Sequence, residues 1–299
     1  MITVLGSINM DLIATTSRLP KPGETVAGSG FSTAAGGKGA NQALAARRAG
    51  SNVRMAGAVG DDEFAKPALE LLDQAGVDLS AVSRANVPTG TAQILVGGDG
   101  ENMIVVVPGA NGSIDDDQSH EAVGTMRAGS LLMLQLEIPA ASVERALLSA
   151  RAQHIVSILN TAPLTPEAAE LAQLADVVIA NETEFSLLVG RQIDDADERE
   201  TAMREWHSKR AQTLIVTLGG DGVIAIRNGV VHKGKGLDIT PVDTVGAGDT
   251  FCGYLVSGVE QGLDFPDALR RAAIAGSLAC LKAGAQPSIP TADEVAAHL

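Results

Sequence analysis

Short apolar runs rich in Val, Ile and Leu recur along this 299-residue chain, separated for the most part by longer stretches of helical period, many of them rich in alanine. Residues 2–5, 53–59, 131–136, 155–159, 177–180, 213–218 and 223–227 read as strands. Segments near 38–49, 64–75, 139–152, 165–174, 183–189, 195–210, 247–262, 265–283 and 291–298 read as helices. Strands that alternate with helices in this way build a mainly parallel sheet, and strands apolar along their whole length need cover on both faces. The expectation is one α/β domain over residues 1–299, undivided by a long linker or an internal repeat.

Two regions break the rhythm. Residues 11–34 and 90–107 look like short strands joined by Gly, Pro and Asn turns, with "GGDGEN" at 97–102 as a hairpin signal between "TAQILV" and "MIVVV". They read as a small β lid inserted into the main domain. A sheet exposing Ile104, Val105 and Val107 wants a covering surface, either the main domain or a second copy of the chain, so a homodimer through the lid is expected.

Composition narrows the partners. The chain carries 22 Lys and Arg against 36 Asp and Glu, a formal charge of −14 with no basic run, which argues against a nucleic-acid or anionic-membrane footprint. An anionic ligand must then be held by local groups. Cys252 and Cys280 are the only cysteines, too few for a disulfide framework or a zinc site, so a cytoplasmic setting is expected. The N-terminal stretch has no basic region before its apolar residues, and no apolar run reaches the length of a membrane span.

The chemistry concentrates in a few stretches. In "PVDTVGAGDTFCGYLVSGV", Phe251, Leu255, Val256 and Val259 recur at helical spacing, so Gly246, Ala247 and Gly248 fall at a helix N-terminus. Free amides and the positive end of the helix dipole there suit a phosphate. Asp249 beside a transferring phosphoryl group would accept the proton of an attacking hydroxyl; taken alone, it reads equally as an ordinary acid of a first helical turn. "GGKGANQALAARRAG" (36–50) offers glycines, a cation at Lys38 and an amide at Asn41 before an Ala-rich helix. It is not a P-loop, because Ser32 stands where the first glycine belongs and Gly39 replaces the Ser or Thr after the lysine. "LGSINM" likewise lacks a dinucleotide-binding glycine fingerprint.

Taken together, "GGKGANQA" (36–43) and "DTVGAGDTF" (243–251) resemble the two signatures of the PfkB family of carbohydrate kinases. The resemblance covers essentially the whole chain, from "VLGSINMD" (4–11) and "PGETV" (22–26) through "GDD" (60–62), "LQLE" (134–137), "NETE" (181–184) and "TLGGDGV" (217–223) to "GAQPSIP" (284–290). It implies a ribokinase-like three-layer αβα sandwich with a small β-sheet lid, and ATP-dependent phosphorylation of a sugar. "GSINMD", "GGKGANQA" and "GAQPS" point within the family to D-ribose and its O5 hydroxyl.

The same resemblance assigns roles. Asn9, Asp11, Gly37, Lys38, Asn41 and Glu137 would hold the pentose, with Asp249 as base and Gly246, Ala247 and Gly248 as the anion hole. Asn9 and Asp11 are expected just past the C-terminal end of the first strand, where ligands of open α/β sheets usually sit. Asn181, Thr217, Gly219, Gly220, Gly222 and Gly248 would contact ATP, and Glu184 would serve Mg2+ through water. Asn181 and Glu184 also have the spacing of a helix capping box, and the two readings are compatible. Asp243, Val245, Ala279, Lys282, Gly284 and Ser288 would surround an activating K+, mostly through carbonyl oxygens. The chain departs from the usual pattern at Thr161, Ala180 and Cys252, which removes no proposed catalytic group but leaves the sugar more open than the kinase activity. A kinase for another sugar or a nucleoside, and a non-catalytic sugar or nucleotide sensor, are the alternatives. The five histidines show no metal-ligand spacing, and Trp206 and Tyr254 read as packing residues.

Overall fold

The structure, a computed structural model, describes residues 1–299. Its strands are β1 Ile2–Leu5, β2 Asn9–Thr16, β3 Gly28–Gly36, β4 Val53–Gly60, β5 Asp78–Ala85, β6 Gly90–Val96, β7 Asn102–Val107, β8 Leu131–Leu134, β9 Val156–Asn160, β10 Val177–Asn181, β11 Thr213–Thr217, β12 Val223–Arg227 and β13 Val230–Gly234. Nine of them form one sheet in the order β13-β12-β11-β10-β9-β8-β1-β4-β5. The run from β5 to β11 is parallel throughout, and β12 and β13 add antiparallel at one edge.

Side chains along each central strand alternate between two cores. Leu131, Met133, Ile179 and Ile215 join a cluster of 37 buried residues on one face, and Leu132, Leu134, Val178, Leu214 and Val216 join one of 34 on the other. Cover on both faces explains why these strands read as unbroken apolar runs. The result is a three-layer αβα sandwich.

Strands β3, β2, β6 and β7 form a separate small sheet in that order. β2 pairs antiparallel with β3 and parallel with β6, and β6 pairs antiparallel with β7. Its β2 and β3 begin and end two residues outside the expected 11–34, and residues 17–27 between them are not strand. Phe31 and the whole of β7 are exposed.

Several boundaries correct the sequence reading. β8 stops at Leu134, so Gln135 to Glu137 leave the sheet at its C-terminal edge. The helices expected at 165–174 and 265–283 are shorter, Ala168–Ala172 and Phe265–Ala279. Strands β5 and β13 and the helix Asp116–Gly124 were not anticipated. β5 is an edge strand of mixed burial without clean alternation, whereas the missed helix carries a legible start signal, the Asp115/Gln118 capping box. No helix is long and apolar enough to cross a membrane.

Candidate active site

Strand order reverses at β1: the chain moves to β4 and β5 on one side and to β8, β9, β10 and β11 on the other. Crevices open at the C-terminal ends of strands at such a reversal. Here the segments leaving β1 and β8 meet: Ser7 Oγ donates to Glu137 Oε2 at 2.6 Å, and the backbone N–H of Lys38 donates to the same oxygen at 3.1 Å.

Two helices bring the rest. Lys38–Arg48 and Ala247–Glu260 pack closely because Gly253 has no side chain; a Cβ there would lie 2.5 Å from Ala45 Cβ and 2.7 Å from Gln42 O. The small residues of both helices thus set the distance between "GGKGANQA" and "GAGD". Across that contact Asn41 Nδ2 donates to Asp249 Oδ2 at 2.9 Å, and Gln42 Nε2 donates to Asp249 Oδ1 at 3.0 Å. Asn41, Gln42 and Asp249 are all buried, and Asn41 Oδ1 has no partner. Lys38, Asn41 and Gln42 stand at i, i+3 and i+4 and share one helix face.

Asn9 and Asp11 follow the end of β1, and they do so within β2, opposite Gly36 and Ala34 of β3. The small sheet therefore carries them into the crevice. Asn9 Oδ1 accepts from Asn111 Nδ2 at 2.7 Å, which engages the oxygen of its amide and not the nitrogen. Burial, with Glu137 and then Asp249 nearby, pushes the Asp11 carboxyl up to about 7. Lys38 is held above its ordinary value, chiefly by Asp249 and then by Glu137 and Glu184, against the opposing effect of burial. One ammonium thus stands among carboxylates from both halves of the site.

The residues expected to contact ATP are more open. Gly246 caps the helix Ala247–Glu260 with φ 76°, a left-handed conformation that glycine adopts without penalty, and a Cβ there would lie 2.9 Å from Ala285 Cα. A Cβ on Gly248, Gly219 or Gly220 would meet nothing within 4 Å, so a ligand can approach the backbone there. Thr217 ends β11, Gly219 and Gly220 form a 3-10 turn with Asp221, and Gly222 leads into β12. Asn181 and Glu184 make the capping box: Glu184 N donates to Asn181 Oδ1 at 2.8 Å and Asn181 N donates to Glu184 Oε2 at 2.9 Å. Burial raises the Glu184 carboxyl above its usual range.

Behind the turn, Asp243 ties two loops together. Its Oδ1 accepts from Val245 N at 3.0 Å and its Oδ2 from Gly284 N at 2.8 Å. Ser288 is buried and its hydroxyl donates to Ala285 O, while Lys282 turns away to pair with Glu294 and Ala279 ends the helix Phe265–Ala279. Gln42, Gln135, Asn160, Ser7 and Asn111 are site residues that the sequence reading did not single out. For Gln42 a signal existed, its place on the face of Lys38 and Asn41, and Ser7 and Gln135 lie inside the segments "VLGSINMD" and "LQLE"; for Asn160 and Asn111 no such signal was read.

A model described as pfkB family carbohydrate kinase matches residues 1–292. The chain belongs to the PfkB family of carbohydrate kinases. It is 36% identical over 294 residues to a ribokinase of Haemophilus influenzae, covering 98% of this chain and 96% of that one. It is 33% identical over 301 residues to a deoxyribokinase of Salmonella typhi, covering 100% of this chain and 98% of the relative. Among solved structures, an Arabidopsis thaliana ribokinase complexed with ribose and ATP superposes with a TM-score of 0.89 at 33% identity, covering 99% of this chain and 97% of that one.

Proposed function

We propose that this protein transfers the γ-phosphoryl group of ATP to the O5 hydroxyl of D-ribose, yielding D-ribose 5-phosphate and ADP. The observation that carries this reading is the position of Asp249, in the first turn of a helix behind an exposed glycine turn and beside the Asn9, Asp11, Lys38 and Glu137 cluster. It supports a base between an acceptor alcohol and a phosphate. Similarity to ribokinases over the whole chain supports ribose as that alcohol.

Asp249 takes the proton of O5 as the O5–phosphorus bond forms, and the bond from the γ-phosphorus to the bridging oxygen of ADP breaks. The N–H groups of Val245 to Gly248 meet the charge on the moving group. Asn9 Nδ2 donates to a sugar oxygen, Asn41 Oδ1 and Asp11 accept from sugar hydroxyls, and Gly37, Lys38 and Glu137 complete the pocket. Asn181, Thr217, Gly219, Gly220 and Gly222 hold the nucleotide. Movement of the small sheet over the sugar, as a lid, would exclude water.

Asp11, Glu137, Glu184 and Asp249 outnumber Lys38, and a polyphosphate entering such a cluster needs a counter-charge. Mg2+ fits that surplus: it would offset charge on the phosphates, with Glu184 reaching it through water because the capping box already engages both carboxylate oxygens. K+ would be held near the Asp243 junction, where a half-buried carboxylate ties the loops of Val245 and Gly284 together, with Ala279, Lys282 and Ser288 as the further positions the family resemblance implies. A homodimer through the small sheet would cover Phe31, Ile104 and Val105. The two free cysteines suit a reducing cytoplasm.

The experiment is ADP release with ribose, deoxyribose, fructose and ribonucleosides, for the parent and for Asp249→Asn. Loss of about 100- to 10,000-fold in kcat with ribose binding kept is expected. Near-parental turnover by folded Asp249→Asn would remove the base assignment. Similarity to a deoxyribokinase makes 2-deoxyribose the second candidate, and a preference for it in the same panel would replace ribose.

A further inference from the structure

We infer that Gln42 is a positioning residue for this transfer, setting the orientation of the Asp249 carboxylate through a relay of buried carboxamides. The inference rests on the reading of Asp249 as proton acceptor. The relay joins four elements: Gln135 just past β8, Asn160 at the end of β9, Gln42 in the helix Lys38–Arg48 and Asp249 in the helix Ala247–Glu260. Gln42 and Gln135 are completely buried.

The direction of the relay is set by a backbone anchor. Asn160 Nδ2 donates to the carbonyl of Ile179 at 3.2 Å, so Asn160 Oδ1 faces Gln42. Gln42 Nε2 then spends both protons, one on Asn160 Oδ1 at 3.1 Å and one on Asp249 Oδ1 at 3.0 Å. Gln42 Oε1 accepts from Gln135 Nε2 at 2.7 Å. Reversing the Gln42 amide would set oxygen against two oxygens and nitrogen against nitrogen, so only one orientation is compatible with its partners. Asn41 holds the other carboxylate oxygen, and the two donors together fix the plane of Asp249.

That plane decides which lone pair meets the incoming hydroxyl. A base contributes only while its acceptor atom stays within hydrogen-bond reach of the proton it takes, and small misplacements are costly. A purely structural explanation fares worse, because Gln135 Oε1 is buried without a partner and apolar packing of similar volume would avoid that desolvation. None of the three relay amides was assigned to substrate, nucleotide or cation. Gln42 acts through Asp249.

Two variants test this beside Asp249→Asn. Gln42→Met keeps the length and removes the donor; kcat should fall about 100-fold while KM for ribose and for ATP stays near the parent's. Gln42→Glu keeps the shape of the side chain, and thermal melting of both variants checks that each is folded before its kinetics are read. Burial and Asp249 raise this carboxyl above its ordinary range; where rising pH ionises it, it faces Asp249 without a proton to donate and kcat should be lost, and lowering the pH restores the donor and part of the rate. The profile is read as a ratio to the parent, because Asp11, Lys38, Glu137 and Glu184 face the same cluster. Parental kcat in Gln42→Met, joint loss of kcat and ribose binding, or no recovery of Gln42→Glu at lower pH would overturn the role. Activity in Asp249→Asn would remove the base instead, whereas an inactive Asp249→Asn beside a parental Gln42→Met would remove the positioning alone.

Discussion

The two halves of the candidate site are built on opposite principles. On the sugar side, Asn9, Asp11, Asn41 and Asp249 are buried, and amides from Asn111, Asn41 and Gln42 already fix three of their oxygens. On the side proposed for the nucleotide, Asn181, Gly219, Gly220 and Gly248 are exposed, and the surface they offer is mostly backbone in turns. A neutral sugar offers only hydroxyls, so selectivity needs donors and acceptors set in advance in a dry pocket. A polyphosphate brings its own charge and is met well by helix-end amides that stay in contact with water. With the roles proposed above, specificity would rest on side chains on one side and on chain conformation on the other.

Substitutions that change conformation should therefore damage the nucleotide half most. Gly246→Val forces a branched side chain into a left-handed backbone and against Ala285, and should lower kcat/KM for ATP by about 100-fold or more. Steady-state kinetics with ribose and ATP varied separately check this; an intact ATP response would mean that the turn is not the phosphate site.

The sugar half should respond instead to a change of charge. Asp11→Asn is expected to raise KM for ribose about tenfold to a hundredfold, with a smaller change in kcat. It should also stabilise the fold at alkaline pH. The folded carboxyl is raised from 3.8 to about 7, so its contribution is fully present below the unfolded value and is lost as pH rises through about 7. The asparagine variant escapes that loss, which is on the order of 4 kcal/mol. Melting at about pH 8 should show the variant ahead of the parent, and at about pH 4 the two should converge; equal melting at both would contradict the buried charge.

Asp243→Ala cuts the tie between the loops of Val245 and Gly284 and should cost about tenfold in kcat. The same variant should lose any difference between assays in K+ and in a large organic cation; a persisting difference would move the cation elsewhere. The smallest kinetic effect is expected at Val105→Lys, where the side chain is 62% exposed on β7. Stability of the protomer should stay within about 0.5 kcal/mol, while the proposed dimer of the parent gives way to monomer in sedimentation. An unshifted oligomer would assign the exposed strip to another surface.

The motifs were legible where chemistry is local in the chain. Lys38 and Asn41 are one helical turn apart, Asn181 and Glu184 have capping spacing, and Gly246 to Asp249 are contiguous. The pairing of Gln42 with Asp249 spans 207 positions and that of Asn9 with Asn111 spans 102, so neither leaves a trace in spacing. The helix Asp116–Gly124 was missed despite a readable capping box, because its face is weakly apolar and the acidic run at its start, Asp115 to Asp117, looks like a loop. β5 was missed because an edge strand with partial cover shows no clean period.

By itself the sequence determined the layered α/β class, the glycine turn at a helix start, the shared face of Lys38 and Asn41, and the excess of acid over base. Apolar period, turn chemistry and charge are local quantities, and they survive in a string of letters. Only the tertiary structure decided that Asn9 joins Asp11 on the small sheet, that Gly253 draws two helices close enough for Asn41 and Gln42 to grip Asp249, and that Lys38 stands among carboxylates from both halves. Those relations depend on chain segments meeting across the sheet's C-terminal edge, where packing rather than sequence distance sets which polar atoms lose water together.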